Sequence, residues 1–330
     1  MSCSVTDFDE KLKSVVQRFA NDAASVDRAK LVPRDHFDAL ADLGLYGAFA
    51  PESYGGLGLS LKDLCDVAEE LSAACLASTF VWIQHLRLLA SVLDPAASAF
   101  VAAMRSAVIG GEIKGGVALA GLLPGPPRLM ATPTPHGWAF NGAAPWVSGW
   151  GMVDELFVAA RGPDDTVVNV LVAPNVQPGL SATHHVMTAI NATATVALTF
   201  DSLEVDEERV VSQVGFDPQQ EAGPGLRLNG SLSLGVARRC CDLIGESTLD
   251  DELREARAFL DSADGEAMPR ARAQASELAA RAASALCVFR GSSSILQGDV
   301  AERTNREATL LLAFGSRPAI RSALLEHLIA

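Results

Sequence analysis

Aromatic side chains make up only 6% of this 330-residue chain, with two tyrosines and four tryptophans. A core built from it is therefore aliphatic, and each ring that does occur has to be accounted for individually. Paired C-x-x-C spacing is missing among the six cysteines, Cys3, Cys65, Cys75, Cys240, Cys241 and Cys287. Adjacent Cys240 and Cys241 suit neither zinc nor an easy disulfide, so reduced, mostly buried thiols and no metal are expected. Basic charge is short as well: 26 Lys and Arg against 40 Asp and Glu leave a net charge of −14. A chain of that sign repels phosphate backbones and anionic lipid, which argues against nucleic acid or a membrane surface as its main partner. The opening residues, with Asp7, Asp9 and Glu10, form no apolar leader, and no run reaches the roughly 18 apolar residues of a membrane span. A cytoplasmic location is the expectation.

What is present is ordinary globular material, 49% hydrophobic and 20% charged, enough for a sizeable core and too apolar for wholesale disorder. From Val5 to about Ile109 apolar residues recur at helical spacing, as in Leu12, Val15, Val16 and Phe19, then Phe37, Leu40, Ala41 and Leu43. Gly44 reads as a helix stop, Pro51 to Gly58 as a turn-rich connection, and Ser60 as the N-cap of the next helix. Between Gly115 and Val211 short β-branched runs such as Val167 to Val172 and Thr195 to Phe200 are separated by Gly and Pro. There Asn141-Gly142 reads as a turn joining two strands. After Pro218 the helical period returns, with room for three or four helices. The expected fold is therefore α+β, mostly α: an N-terminal helical domain (1–113), a central β-barrel or sandwich (114–215) and a C-terminal helical bundle (216–330).

Several segments, taken in order, resemble the acyl-CoA dehydrogenase family of flavoproteins. They are Leu43 to Gly47 with Pro51 to Ser60, Gly137 to Gly142 leading into Trp146-Val147-Ser148, Leu198 to Val211, and Leu234 to Arg238. The resemblance implies FAD as cofactor and an acyl-CoA or related acyl thioester as substrate. It also implies a homo- or hetero-oligomer, with a C-terminal domain that is shortened here. In that family a Trp-Ile-Ser or Trp-Ile-Thr strand lies beside the isoalloxazine ring, so the match points to Trp146 and Ser148, the hydroxyl lying near flavin N5. The family's Thr-Glu-Pro signature is erased in Val117 to Pro127, although backbone groups from Ala118 to Ala120 remain able to contact a flavin.

Departures from the family pattern bear on the chemistry. Its reaction removes an α-proton with a carboxylate while the β-hydrogen leaves as hydride. The usual Glu, some ten residues beyond an Arg-Asp-Ala motif, corresponds here to Phe314 or Gly315, counted from Arg306-Glu307-Ala308. Neither accepts a proton. The alternative position, on the helix before Leu234-Gly235, has no acid between Gly225 and Ser233. Glu302 and Glu307 read as solvated helix charges or partners of Arg303 and Arg306, and no catalytic residue is assigned. The family's Arg-x-x-Phe-Gly segment is replaced by the acidic stretch Glu246 to Glu255. Its Gln-x-x-Gly-Gly-x-Gly segment survives only in part around Gly291, with Cys287 in place of the Gln. The grip on the adenosine pyrophosphate is thereby loosened unless Arg290 compensates. The cofactor set implied by the resemblance is Trp146, Ser148, Ala118, Ala120, Gly291 and Ser316.

Two lesser candidates read as surface features: the adjacent His184-His185 as a solvated loop pair, and Arg317 to Arg321 as surface charge. The leading functional reading is an FAD-dependent oxidoreductase acting on the CH-CH bond of an acyl thioester. The alternatives are a non-catalytic partner subunit of a hetero-oligomeric dehydrogenase, and a flavin monooxygenase on the same scaffold.

Overall fold

The helical periodicity of the first third is realised as α1 (Val5–Arg28), α2 (Arg34–Asp42), α3 (Leu61–Ala74), α4 (Leu76–Leu93), α5 (Ala99–Ala103) and α6 (Arg105–Gly110). The computed structural model describes residues 5–122, 127–217, 224–315 and 317–329. Gly44 adopts φ 74° directly after α2, the left-handed stop that its position predicts. Ser60 caps α3 in a reciprocal box with Asp63. Helix α4 is apolar around almost its whole circumference because it is the central core helix, with Trp82 donating its indole N–H to Leu45 O at 3.1 Å. By length and composition it is long enough to cross a membrane, yet most of it is buried inside the protein.

The strands are β1 (Gly115–Ala118), β2 (Leu129–Thr134), β3 (Gly137–Val147), β4 (Glu155–Arg161), β5 (Thr166–Val172), β6 (Leu180–His184), β7 (Val196–Asp206) and β8 (Val210–Gly215). They pair in the order β6-β7-β3-β2-β4-β5-β8, with β1 added parallel to β4. Only one pair, Met130 with Arg161, joins β2 to β4, so the sheet has two halves hinged at that point.

Asn141-Gly142 is not the expected turn. It lies inside the continuous strand β3, at a register shift against β7. Asn141 Oδ1 accepts from Ser202 N at 2.8 Å, filling the bulge, and a Cβ on Gly142 would lie 2.0 Å from Arg128 O. The pair thus serves a bulge and a close backbone approach, which the same two residues satisfy as readily as a turn. The actual hairpin turn between β2 and β3 is Pro135-His136, since Thr134 pairs with Gly137.

The C-terminal region holds five α-helices among the described residues, more than expected: α7 (Pro224–Ile244), α8 (Thr248–Ser262), α9 (Met268–Arg290), α10 (Val300–Ala313) and α11 (Pro318–Leu328). Helix α8 is the acidic stretch, whose acidic first turn masks an apolar face of Leu249, Leu253, Ala256 and Leu260. Small residues set the packing distances. A Cβ on Gly235 of α7 would stand 2.1 Å from Ser72 Oγ and 2.4 Å from Glu69 O, so α3 and α7 cross with their backbones close together. Five cysteines, from Cys65 to Cys287, are unpaired, and all but Cys287 are buried.

Candidate functional site

Strand β3 carries Trp146 near its end, and the indole is 58% exposed, an unusual position for a large ring in a chain with so few. The ring stacks at a tilt of 34° on His185, with centroids 4.5 Å apart. His185 Nε2 donates to Pro145 O at 2.7 Å, which fixes the imidazole against the strand. His185 is therefore a half-buried support for Trp146 and not a solvated partner of His184. Two residues past the indole, Ser148 Oγ lies 2.7 Å from Thr195 Oγ1, which lies 2.8 Å from Thr193 Oγ1.

This hydroxyl chain has a direction. Thr193 gives its single proton to Ile190 O at 2.9 Å, so it must accept from Thr195. Thr195 in turn must accept from Ser148. Ser148 Oγ is left with acceptor lone pairs and no free proton.

The loop beyond Ser148 touches the helical core. Gly149 N donates to Thr193 O at 2.7 Å, and a Cβ on Gly149 would lie 3.6 Å from Val81 Cγ1 on α4. The neighbour of Val81, Phe80, packs edge to face on Phe314 with centroids 4.7 Å apart. The C-terminal end of α10 is thus brought to the same helix that lies beside Ser148. Of the two residues at which the resemblance expects a proton-accepting carboxylate, Phe314 is a half-buried aromatic ring. The following Gly315 is exposed, with φ 61°. The alternative position on α7 is no better supplied, since Arg227 there is buried and paired with Asp261 at 2.6 Å.

Glu302 pairs with Arg306, as its spacing predicts. Glu307, in contrast, is not solvated. It is 4% exposed and held by Arg239 Nη1 at 2.5 Å, an α7 residue that neighbours in sequence do not reveal. Arg306 bridges three elements, bonding Asp27 of α1 at 2.6 Å and Thr188 O in the loop between β6 and β7 at 2.7 Å.

Of the other expected cofactor residues, Ala118 closes β1, fully buried and paired with Val158, and half-buried Ala120 lies in the turn just beyond. Gly116, two residues before Ala118, lies against the Ser148 segment: a Cβ there would be 3.4 Å from Ser148 O. Gly291 sits elsewhere, at the exposed C-terminal end of α9 with φ 68°. Arg290 beside it is engaged by Asp299 at 2.7 Å, the residue that caps α10. Ser316 lies outside the described residues. An exposed indole next to a hydroxyl fixed in orientation suits the face of a flat heteroaromatic ring, so these residues fit a flavin.

The family profile described as "Acyl-CoA dehydrogenase, N-terminal domain" matches residues 6–99. Benzylmalonyl-CoA dehydrogenase of Aromatoleum aromaticum is 26% identical over 259 residues, covering 72% of this chain and 67% of that protein. L-evernosamine nitrososynthase of a Micromonospora species is 27% identical over 236 residues, 68% of this chain and 56% of that one. The chain thus spans about two thirds or less of the length of these relatives. The structure of butyryl-CoA dehydrogenase from Megasphaera elsdenii superposes with a TM-score of 0.81 at 16% identity, covering 100% of both chains.

Proposed function

We propose that the chain is a member of the acyl-CoA dehydrogenase family and, on that premise, an FAD-binding oxidoreductase acting on an acyl thioester. The observation that carries this reading is the exposed Trp146 indole beside the oriented Ser148 hydroxyl at the end of β3. Bound there, FAD would supply the two-electron acceptor that the side chains themselves lack. Trp146 would cover one face of the ring, His185 would hold Trp146 in place, and Ser148 would offer an acceptor at the ring edge. On this reading the proton acceptor for substrate is not the C-terminal carboxylate of the family pattern, because neither Phe314 nor Gly315, the two residues that correspond to it, carries one.

A second reading, a monooxygenase using reduced flavin, is favoured by that same Phe314, since such a reaction needs no α-proton base. The polarity of the hydroxyl chain also supports it, because reduced flavin presents an N5–H donor to Ser148 and oxidised flavin does not. A nitrososynthase among the relatives accords with a scaffold not tied to one reaction.

We place the protein in the cytoplasm as an oligomer. Exposed Val288, Phe289, Ile295 and Leu296 flank Gly291 and form an apolar segment suited to a neighbouring subunit. The test is to purify the chain, record flavin absorbance, and add acyl-CoA with an artificial electron acceptor under anaerobic conditions. Bleaching and acceptor reduction support the dehydrogenase reading. Turnover only with oxygen and reduced flavin supports the second. A colourless, inert chain contradicts both and fits a non-catalytic partner subunit.

A further inference from the structure

A cavity of about 350 Å³ opens between α1, α3, α7 and α10, and none of its lining residues belongs to the flavin set. Its walls are largely alkyl, including Val16 and Ala20 from α1 and Ala73 and Ala74 from α3. Arg239 and Arg303 also line it, and Arg238 stands at its mouth.

Arg239 and Arg303 are both at least nine-tenths buried, and they share one buried carboxylate, Glu307. Arg239 takes Glu307 at 2.5 Å and gives three further N–H groups to Ala73 O, Ser72 O and Thr304 Oγ1. Arg303 is left 3.8 Å from Glu307, too far for a hydrogen bond, and its buried Nε has no partner among the described residues. A buried guanidinium with unmet donors is costly, and burial pushes its pKa down. Of the two deep guanidinium groups that line the cavity, Arg303 is thus the one without a directly hydrogen-bonded carboxylate, its ion pair with Glu307 being long and shared. At the mouth, Arg238 lies 3.7 Å from Glu70 and 4.0 Å from Asp242.

We propose that this cavity binds a small monocarboxylate with a short alkyl tail, its carboxylate on Arg303 and its tail against the alanine-lined wall. A single carboxylate supplies the close acceptor that the Arg303 guanidinium lacks, whereas Glu70 and Asp242, which also line the cavity, oppose the second negative charge of a phosphate dianion. The planar guanidinium fork is suited to a carboxylate, and the apolar walls reward a few methylene groups. The site is independent of the proposed redox reaction.

Titration calorimetry of the full chain with sodium butyrate, butyramide and inorganic phosphate tests this. Butyrate is expected to saturate a single site. Butyramide and phosphate are expected to bind at least about tenfold more weakly, since each lacks one of the two matching features. Arg303→Met should abolish butyrate binding while keeping the parent's fold, because it removes a buried guanidinium whose Nε has no hydrogen-bond partner among the described residues. Ala73→Leu, which fills the tail region and leaves the guanidinium, should weaken butyrate at least about tenfold and spare acetate. Should Arg303→Met fail to fold, the Ala73→Leu comparison of butyrate with acetate decides alone. The proposal is overturned if butyrate shows no saturable binding, if butyramide or phosphate binds as well as butyrate, or if either folded variant retains full butyrate affinity.

Discussion

Phe314 meets Phe80 edge to face, with ring centroids 4.7 Å apart and planes at 68°. Through that contact the end of α10 reaches the core helix that also packs beside the Ser148 loop. The consequence is chemical as well as structural: a packing contact stands at one of the two positions where the resemblance calls for a base.

Phe314→Ala should therefore behave as a packing variant. Loss of the half-buried ring and its aromatic partner is expected to cost about 1–2 kcal/mol in urea unfolding. Any flavin reduction by substrate measured in the parent should persist per folded molecule. A variant that unfolds like the parent but loses substrate-dependent reduction would show that the ring acts on substrate.

Trp146→Ala combined with Ser148→Ala should weaken FAD retention by about fivefold, the loss of an aromatic stack of roughly 1 kcal/mol, since Ser148 has no free proton to give the oxidised ring. Fluorescence titration of the flavin-free protein reads this directly. Unchanged affinity in a folded double variant would remove Trp146 from the cofactor site.

Thr195→Val cuts the hydroxyl chain and releases the Ser148 proton to point outward. The oxidised ring then gains a donor, and the midpoint potential of bound flavin should fall by about 20 mV, the equivalent of about 1 kcal/mol in a two-electron couple. A potential that stays put or rises would contradict the assigned direction of the chain.

His85 sets a pH dependence. Its Nδ1 accepts from Gly115 N at 3.0 Å, so Nε2 carries the proton and donates to Tyr46 O at 3.1 Å. Burial pushes its pKa down from 6.5 to about 4, so the folded state holds the neutral ring. Between those values the unfolded chain binds the extra proton. The stabilisation is thus complete above pH 6.5 and is lost as pH falls toward 4, by about 3 kcal/mol. His85→Asn should flatten this part of the stability profile relative to the parent, as measured by urea unfolding at stepped pH.

Much of the fold was legible because it rests on local rules. Gly44 and Ser60 declare a helix stop and a helix start through residue types that few other positions tolerate, and the change from helical to alternating periodicity marks the middle region. Asn141-Gly142 was misread because a bulge and a turn demand the same backbone freedom, and only the partner strand distinguishes them. Helix α8 was hidden by its acidic first turn. At the site, Trp146 and Ser148 were visible as a motif, whereas His185, Thr193 and Thr195 contribute through contacts between β3, β6 and β7 that no single segment encodes. Glu307 shows the same limit: its spacing suggested partners on its own helix, and its main one, Arg239, lies 68 positions away in sequence.

The most direct test of the account is a structure of the chain determined with FAD. The ring is predicted to lie on the Trp146 indole, with its edge beside Ser148 Oγ and the Phe314–Phe80 contact intact. A slot at Trp146 filled by side chains, or FAD bound elsewhere in every assembly the chain forms, would contradict it.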